Sequence, residues 1–343
     1  MRKRTGSVAL LAAAVALTLA ACGGGTGQGA GTTTTVGPRT TTTSTPAAPT
    51  TTTPAVGTWS KPLTLAAAAD LSVVSCPAAG FCVAGTMSGQ SYRLADGQAS
   101  SVGPVGNAPS PQGGSYLTCT STTFCAAVPN LNQAVVFNGA SWSAPATIQA
   151  AQGFESIGCV GTTFCVAIDG EGNAFVFNGT SWSGNVGAWG AANQISCASP
   201  SFCVAAEGGP SVWNGHTWTQ PSDADPQGQL NAVSCASPTF CAAVDSTGDV
   251  LTWNGSAFSA PLAVAKEPPL SGSDAWGLTG VSCPTSTFCR AVDSIGRVFG
   301  FNGVTWSTGT QIDGGHALTS ISCPTIAYCV AVDRNGRAFV SNS

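Results

Sequence analysis

Cysteine is the reactive residue with the most regular spacing in this chain of 343 residues. Fourteen of the fifteen cysteines form seven pairs, and five residues separate the two thiols of every pair. Two such cysteines meet disulfide geometry when they lie at the facing ends of two antiparallel strands. Two thiols without a nearby histidine or second pair do not make a four-ligand zinc site. The spacing therefore predicts seven disulfides and no metal or other cofactor: Cys76–Cys82, Cys119–Cys125, Cys159–Cys165, Cys197–Cys203, Cys235–Cys241, Cys283–Cys289 and Cys323–Cys329.

Residues suited to catalysis are few. The only two histidines, His216 and His316, occupy different positions relative to the cysteine pairs. The sequence contains no Gly-x-Ser-x-Gly elbow, phosphate-binding loop or His-Glu pair, and its arginines are poorly placed to converge on a carboxylate. Four aspartates recur after equivalent cysteines and are interpreted as turn residues: Asp169, Asp245, Asp293 and Asp333. We therefore expect no catalytic residue and no enzymatic activity.

The cysteine pairs mark a repeat of about 41 residues, because their first members are separated by 43, 40, 38, 38, 48 and 40 residues. A repeat of this length is typical of a propeller or a solenoid. Each unit has an apolar run ending at the first cysteine and a second run from an aromatic-Cys step to Asp. An Asp-x-x-Gly turn then leads to a third run, and an Asn-Gly hairpin leads to a fourth at Trp-Ser, as in residues 178–183. Four short strands per unit predict an all-β propeller with four-stranded blades.

The ends of the repeat region decide between a ring and an open stack. The seventh unit stops at Ser343, before its Asn-Gly and Trp-Ser steps, and the matching piece lies at residues 56–62. A solenoid has no reason to divide a unit in this way. We therefore expect a seven-bladed ring closed by the N-terminal strand, which leaves no open edge between the first and last blades. Blade 1 is the least regular, because Gly97 and residues 103–114 replace the usual hairpin signal.

The N-terminus has the features of an export signal. Arg2, Lys3 and Arg4 precede an apolar run at residues 8–21, which is too short to span a membrane. The run ends in Leu-Ala-Ala-Cys and resembles the lipobox of bacterial lipoproteins, which implies that Cys22 is lipidated after cleavage. An ordinary secretory signal with a chance cysteine is the alternative. The resemblance places the mature protein on the outer face of a cell membrane, held by its lipid anchor.

Composition then divides the chain into three segments. Residues 1–21 are the predicted signal peptide, residues 22–56 a disordered Thr/Pro-rich stalk that starts at the lipidated cysteine, and residues 57–343 the propeller domain. After removal of the leader, eight basic and fifteen acidic side chains remain, a net charge of −7. This negative charge argues against nucleic-acid binding. We also expect the protein to be a monomer.

The repeated motif is also found in a known group of proteins. Units that read Ser-Cys, Phe-Cys-x-Ala-Val-Asp, Gly and then Asn-Gly-x-x-Trp-Ser resemble the exported repeat propellers common in actinobacteria. The resemblance covers residues 58–343. It implies a propeller architecture and says little about activity, because propellers host lectins, hydrolases, receptors and scaffolds.

One face of such a ring is a candidate binding surface. The connections between blades and the turns between second and third strands should emerge together, opposite the cysteine and Asn-Gly hairpins. Loops on a rigid scaffold commonly carry binding. The residues expected on this face are both aromatic and acidic: Phe154, Glu155, Trp189, Asp225, Asp274, Trp276, Asp313 and His316.

Three functions are compatible with this surface. The first is a non-enzymatic, lipid-anchored binding or scaffold propeller that recognises a protein or an envelope polymer at the cell surface. The second is a carbohydrate-binding, lectin-like propeller that stacks sugars on Trp189 and Trp276, which lie outside the repeat pattern. The third is a glycoside hydrolase, which needs two carboxylates about 5 to 10 Å apart. Its candidates are Glu155, Asp225, Asp274 and Asp313.

Overall fold

The seven-bladed β-propeller predicted from the repeats is confirmed. A computed structural model describes residues 55–65, 70–106, 116–130, 132–149, 153–187, 192–206, 208–221, 229–265 and 277–342. Throughout these residues the regular structure is β-strand, in seven antiparallel sheets. The innermost strands of successive sheets lie side by side, and those of the seventh and first sheets also meet. The predicted signal peptide, Cys22 and most of the predicted stalk lie outside the described residues.

The strands follow the order of the repeats. Strand β1 spans Leu63–Thr64 and belongs to blade 7. Blade 1 contains β2 to β5, Leu71–Ala78, Phe81–Thr86, Gln90–Ala95 and Gln98–Pro104. Blade 2 contains β6 to β9, Leu117–Ser121, Phe124–Asn130, Gln133–Phe137 and Ala146–Thr147. Blade 3 contains β10 to β12, Phe154–Val160, Phe164–Asp169 and Ala174–Phe177.

The remaining blades follow the same pattern. Blade 4 contains β13 to β16, Gln194–Ser199, Phe202–Ala206, Ser211–Trp213 and Trp218–Thr219. Blade 5 contains β17 to β20, Leu230–Ser237, Phe240–Asp245, Asp249–Trp253 and Leu262–Ala263. Blade 6 contains β21 to β24, Leu278–Thr285, Phe288–Asp293, Arg297–Phe301 and Thr310–Gln311. Blade 7 contains β25 to β27, Leu318–Thr325, Tyr328–Asp333 and Arg337–Asn342, together with β1.

All seven predicted disulfides are present, each within one blade. Each joins the first strand of its blade to the second, and the second cysteine of every pair is buried. In blade 2, for example, Cys119 and Cys125 lie opposite each other in the strand register. Each disulfide therefore links the two strands of one hairpin, and the seven hairpins lie at the same end of the ring.

The N-terminal strand closes the ring, as the divided seventh repeat predicts. Strand β1 pairs with β27, with Leu63 opposite Ala338. Before it, Trp59 forms a bridge with Ser341, and the Ser60 N–H donates to the Val340 carbonyl at 2.8 Å. This pairing covers the outer edge of β27, which would otherwise present unpaired backbone groups.

Arg290 fixes the chain just before this closing strand. Its Nη2 donates to the Ala55 carbonyl at 3.0 Å, and its Nη1 donates to the Cys289 carbonyl at 3.1 Å. The guanidinium lies 4.0 Å from the centre of the Phe288 ring. Burial lowers the pKa of Arg290 to about 10, which still leaves it charged at neutral pH. The start of the domain is thus held by a buried cation from blade 6.

A row of serines joins the inner strands of neighbouring blades. The residue before the first cysteine of a blade is usually Ser, and its Oγ accepts the N–H of the first cysteine of the next blade. The free edge of an inner strand carries backbone groups that need such partners. Five bonds of this kind measure 2.8 to 2.9 Å: Ser75 to Cys119, Ser196 to Cys235, Ser234 to Cys283, Ser282 to Cys323 and Ser322 to Cys76.

A second row of side chains reinforces the first. The residue four positions before the first cysteine donates to a backbone carbonyl at the start of the next blade's inner strand. Four such bonds measure 2.7 to 2.9 Å: Asn193 to Leu230, Asn231 to Leu278, Thr279 to Leu318 and Thr319 to Leu71. We call the four junctions from blade 4 through blade 7 to blade 1, which carry both bonds, the latched arc.

Blade 3 departs from this pattern on both of its sides. Its serine position holds Gly158, and a Cβ there would lie 3.0 Å from the Ile195 carbonyl oxygen. Its donor position holds Glu155, whose carboxylate cannot donate. In the part of the chain that the structure describes, no serine-type bond joins blade 2 to blade 3 or blade 3 to blade 4. The fourth strand of blade 3 is reduced to one bridge between Phe177 and Trp182. We call these two junctions the blade 3 sector.

Blade 1, the least regular blade in sequence, forms a long hairpin instead of the usual Asn-Gly turn. Asp96 and Gly97 both have positive φ, 50° and 75°. Two consecutive positive φ angles are typical of the tight turn that suits a two-residue hairpin. The fourth strand of blade 1 therefore runs for seven residues, Gln98–Pro104.

Candidate binding face

The antiparallel blades place two sets of loops at opposite ends of the ring. The Asp-x-x-Gly turns and the fully described connection from blade 6 to blade 7 form one end, which we call the connection face. The cysteine and Asn-Gly hairpins form the other, which we call the hairpin face. The connection from blade 6 to blade 7 rests on the turn of blade 6, because the Ile312 N–H donates to the Gly296 carbonyl at 2.9 Å.

The aspartates of the Asp-x-x-Gly turns have a structural role. In each turn, one carboxylate oxygen accepts the N–H groups of the residues two and four positions later, at 2.7 to 3.1 Å. All four carboxylates are buried. They satisfy the turn backbone and are closed to a ligand. The four residues are Asp169, Asp245, Asp293 and Asp333.

Blade 7 adds a second carboxylate to its turn. Arg337 donates through Nε to Asp333 at 2.6 Å, and its Nη2 reaches Asp313 of the preceding connection at 2.5 Å. Asp313 is only 4% exposed. One guanidinium thus fastens the connection between blades 6 and 7 to the turn of blade 7.

This environment changes the acidity of Asp313. Burial raises the pKa of Asp313 to about 6, with a further rise from the neighbouring Asp333 carboxylate, while Arg337 and His316 act in the opposite direction. Two neighbouring carboxyls can act as acid and base in enzymes. Here both carboxyls are buried and share one arginine. The geometry supports a structural role for Asp313, Arg337 and Asp333, which we call the clasp, and it offers no opening for a substrate.

His316 is displayed above this clasp. Its Nδ1 lies 3.0 Å from the Asp313 carbonyl oxygen, while its side chain is 57% exposed. Gly314 and Gly315 precede it with φ angles of 54° and 95°, which glycine adopts without steric strain. The connection therefore turns sharply and presents the imidazole to solvent from a fixed base.

Glu155 lies on the connection face in blade 3. Burial raises the pKa of Glu155, and the nearby Asp169 carboxylate adds to the rise. Its carboxylate lies over the blade 3 turn, since a Cβ on Gly170 would be 3.2 Å from Glu155 Oε1. Glu155 belongs to a different blade from Asp313 and His316. Among the predicted face residues that the structure describes, only Asp313 and His316 lie in contact with each other.

Phe154 requires a correction. Its side chain is 2% exposed and packs edge-on against Phe175, with ring centroids 5.5 Å apart. It is a core residue and forms no part of the connection face. The other four predicted face residues lie outside the described residues: Trp189, Asp225, Asp274 and Trp276.

One concave feature was not predicted from the sequence. A groove of about 470 Å³ lies between blades 2 and 3, bordered by the outer strand β9 and the segment around Trp182. A sequence signal for it exists. Blade 2 has alanine at positions 134 and 146, where blade 5 has the larger Val250 and Leu262 in the same strand register.

The described residues provide no sign of a metal centre. Within the ranges given above, no three His, Cys, Asp or Glu side chains are grouped so that they could hold an ion. The same part of the chain includes no helix long and apolar enough to cross a membrane.

The chain matches no known protein-family profile and no curated protein sequence. Its fold is similar to that of many solved propellers. A structure of YCF48 bound to D1 peptide has a TM-score of 0.66 at 15% identity, covering 85% of this chain and 100% of that chain. The RRP9 WD40 repeats give 0.68 at 12% identity, covering 82% and 98%. The Neurospora crassa Pan2 WD40 domain gives 0.63 at 12% identity, covering 83% and 95%. At these identities the likeness shows the fold alone.

Proposed function

We propose that this chain is a binding or scaffold propeller without catalytic activity, displayed on the outer face of a cell membrane by a lipid on Cys22. Its partner is a protein or an envelope polymer, recognised through the connection face. The propeller fold is typical of binding and scaffold proteins, and one propeller of similar fold is described as bound to a peptide.

The observation that carries this proposal is the clasp between Asp313, Arg337 and Asp333. It fixes a surface connection in one conformation and leaves His316 exposed on it. A loop held in place before binding loses little conformational freedom when a partner arrives. A buried carboxyl pair beneath an exposed side chain suits recognition better than turnover.

The two histidines provide a matched pair for testing the face. His316 lies on the connection face, and His216 is exposed in the Asn-Gly turn of blade 4 on the hairpin face. The photo-crosslinking residue p-benzoylphenylalanine is placed at position 316 or 216 of the full chain in cells. We expect a crosslinked partner from position 316 only. A partner crosslinked only from position 216 would show that the hairpin face binds.

The membrane part of the proposal has a separate test. In Cys22→Ala, the proposed acylation site is lost, so the protein should be released from the membrane fraction or remain unprocessed. Cell fractionation and intact mass spectrometry measure both outcomes. Unchanged retention together with unchanged mass would contradict lipid anchoring without affecting the proposed binding face.

A further inference from the structure

The groove between blades 2 and 3 has the size and chemistry of a binding site. Its volume of about 470 Å³ falls within the ordinary range for ligand pockets, roughly 300 to 1,000 Å³. Aromatic and aliphatic side chains form its floor and walls, among them Phe124, Phe177, Trp182 and Ile148. None of its lining residues carries an ionisable side chain, because Cys165 is held in a disulfide.

Blade 2 has small side chains at two paired positions that line the groove. In blade 2, Ala134 on β8 lies opposite Ala146 on β9. In blade 5, Val250 lies opposite Leu262 in the same register. Relative to this pair, the two alanines of blade 2 lack five side-chain carbon atoms, and both line the open groove.

This space lies where two other junctions pack a pair of aromatic rings against each other. Between blades 4 and 5, Phe202 packs on Trp253 with centroids 6.0 Å apart, and between blades 5 and 6, Phe240 stacks on Phe301 at 6.2 Å. The equivalent residues of blades 2 and 3 are Phe124 and Phe177, and both line the groove. An aromatic ring in the groove would therefore make contacts of a kind that those two junctions make internally.

We propose that the groove binds an aromatic side chain of an extended, uncharged peptide segment of a partner protein. Strand β9 is the outermost strand of blade 2, and Ala146 and Thr147 are exposed. Its free backbone edge can pair with an added strand, a common mode of peptide recognition. A charged side chain is disfavoured, because the groove has no opposite charge to replace its lost hydration. This site is separate from the connection face.

The test uses the full chain, labelled with ¹⁵N, and two neutral probes. One is the peptide acetyl-Thr-Val-Phe-Val-Thr-amide, and the other has alanine in place of the central phenylalanine. We expect the phenylalanine peptide to bind about tenfold more tightly or better, since burying one aromatic ring is worth at least that ratio. The largest amide shifts should occur at positions 146 to 148. Equal binding of the two peptides, or shifts confined to the connection face, would overturn the proposal.

A matched pair of variants tests the location. Ala146→Trp fills the mouth of the groove, and Leu262→Trp makes the same change at the equivalent exposed position of blade 5. We expect Ala146→Trp to weaken binding of the phenylalanine peptide at least tenfold and Leu262→Trp to leave it unchanged. Unshifted amide peaks from the other blades show that each variant is folded. Unchanged binding in Ala146→Trp, or equal loss in both variants, would contradict binding in this groove.

Discussion

The latched arc and the blade 3 sector both hold neighbouring blades together, but they do so through different contacts. In the arc, the junction between blades 7 and 1 has Ser322 and Thr319 bonded across to Cys76 and Leu71. In the sector, Gly158 removes the hydroxyl and brings blade 4 close, since a Cβ there would lie 3.0 Å from Ile195. The arc therefore combines packing with the serine bonds, whereas among the described residues the sector has no serine bond. Its two junctions instead have a bond from Thr120 Oγ1 to the Gly161 carbonyl at 2.7 Å, between blades 2 and 3, and the close packing at Gly158, between blades 3 and 4. Rigidity in a propeller can thus differ from junction to junction within one repeat pattern.

The largest effect should follow from removing the N-terminal segment that completes blade 7, the last blade of the arc. Deleting residues 56–62 removes the Trp59 bridge and exposes the outer edge of β27. We expect the melting temperature to fall by more than about 10 °C, which corresponds to several kcal/mol in a domain of this size. Deleting residues 27–50 is the control and should leave the melting temperature unchanged. Equal melting temperatures for the two deletions would mean that closure contributes nothing.

Removing the shared arginine should have the next largest effect. Arg337→Met leaves the buried Asp313 and Asp333 carboxylates without their cation, and breaking such a pair costs about 3 to 5 kcal/mol. Arg297→Met is the matched control, because Arg297 occupies the same turn position in blade 6 and bonds to Asp293. We expect chemical denaturation to give the larger loss for Arg337. Equal losses would show that the bond to Asp313 adds no stability.

The clasp also predicts a dependence of stability on pH. The pKa of Asp313 is about 6 in the folded chain, above its ordinary value of 3.8, so the folded state holds this proton more tightly. Its contribution is complete below about pH 4 and is lost as pH rises through 6. Each pKa unit corresponds to 1.36 kcal/mol, so the loss is at most about 3 kcal/mol. Denaturation at pH 4.5, 5.5 and 7 should show this slope in the wild type and a smaller one in Asp313→Asn. An identical slope in both proteins would assign it to other groups.

Removing a single serine bond of the arc should have a smaller effect. Ser322→Ala removes the acceptor of the Cys76 N–H, and a lost hydrogen bond of this kind costs about 1 kcal/mol. Thr118→Ala changes the corresponding residue of blade 2, which makes no such bond, and should alter the unfolding free energy by less than about 0.5 kcal/mol. Urea titration of both variants measures the difference. A loss in Thr118→Ala as large as in Ser322→Ala would remove the distinction between arc and sector.

The smallest effect should appear in native-state hydrogen exchange. The amides of Cys283 and Cys323 donate to serines, whereas among the described residues no serine bond of this kind reaches the amide of Cys159 or Cys197. We expect the latter two to exchange about tenfold faster, equivalent to about 1.4 kcal/mol of local stability. Exchange at one uniform rate around the ring would show that the serine bonds do not protect the inner strands.

The blades, disulfides and ring closure could be predicted because each depends on residues close together in the sequence or on the repeat itself. The bond from Ser282 to Cys323 spans 41 residues, so its partner is known only once the blades are arranged. Phe154 was placed wrongly as a loop residue. It occupies the position of Leu230 and Leu278, which are both fully buried, so the repeat does contain the signal for its burial. The clasp between Asp313 and Arg337 joins a connection to a turn and has no counterpart in the repeated motif.

The bond between Arg290 and the Ala55 carbonyl has a mechanical consequence. Ala55 lies four residues before Trp59 and eight residues before β1, so tension applied to the preceding chain first loads this bond. It then loads the bridge of Trp59 to Ser341 and the pairing of β1 with β27. The segment that closes the ring is therefore also the segment that bears the pull. Under force, the propeller should therefore open first where its N-terminal segment pairs with β27, while the disulfide-linked hairpins remain intact.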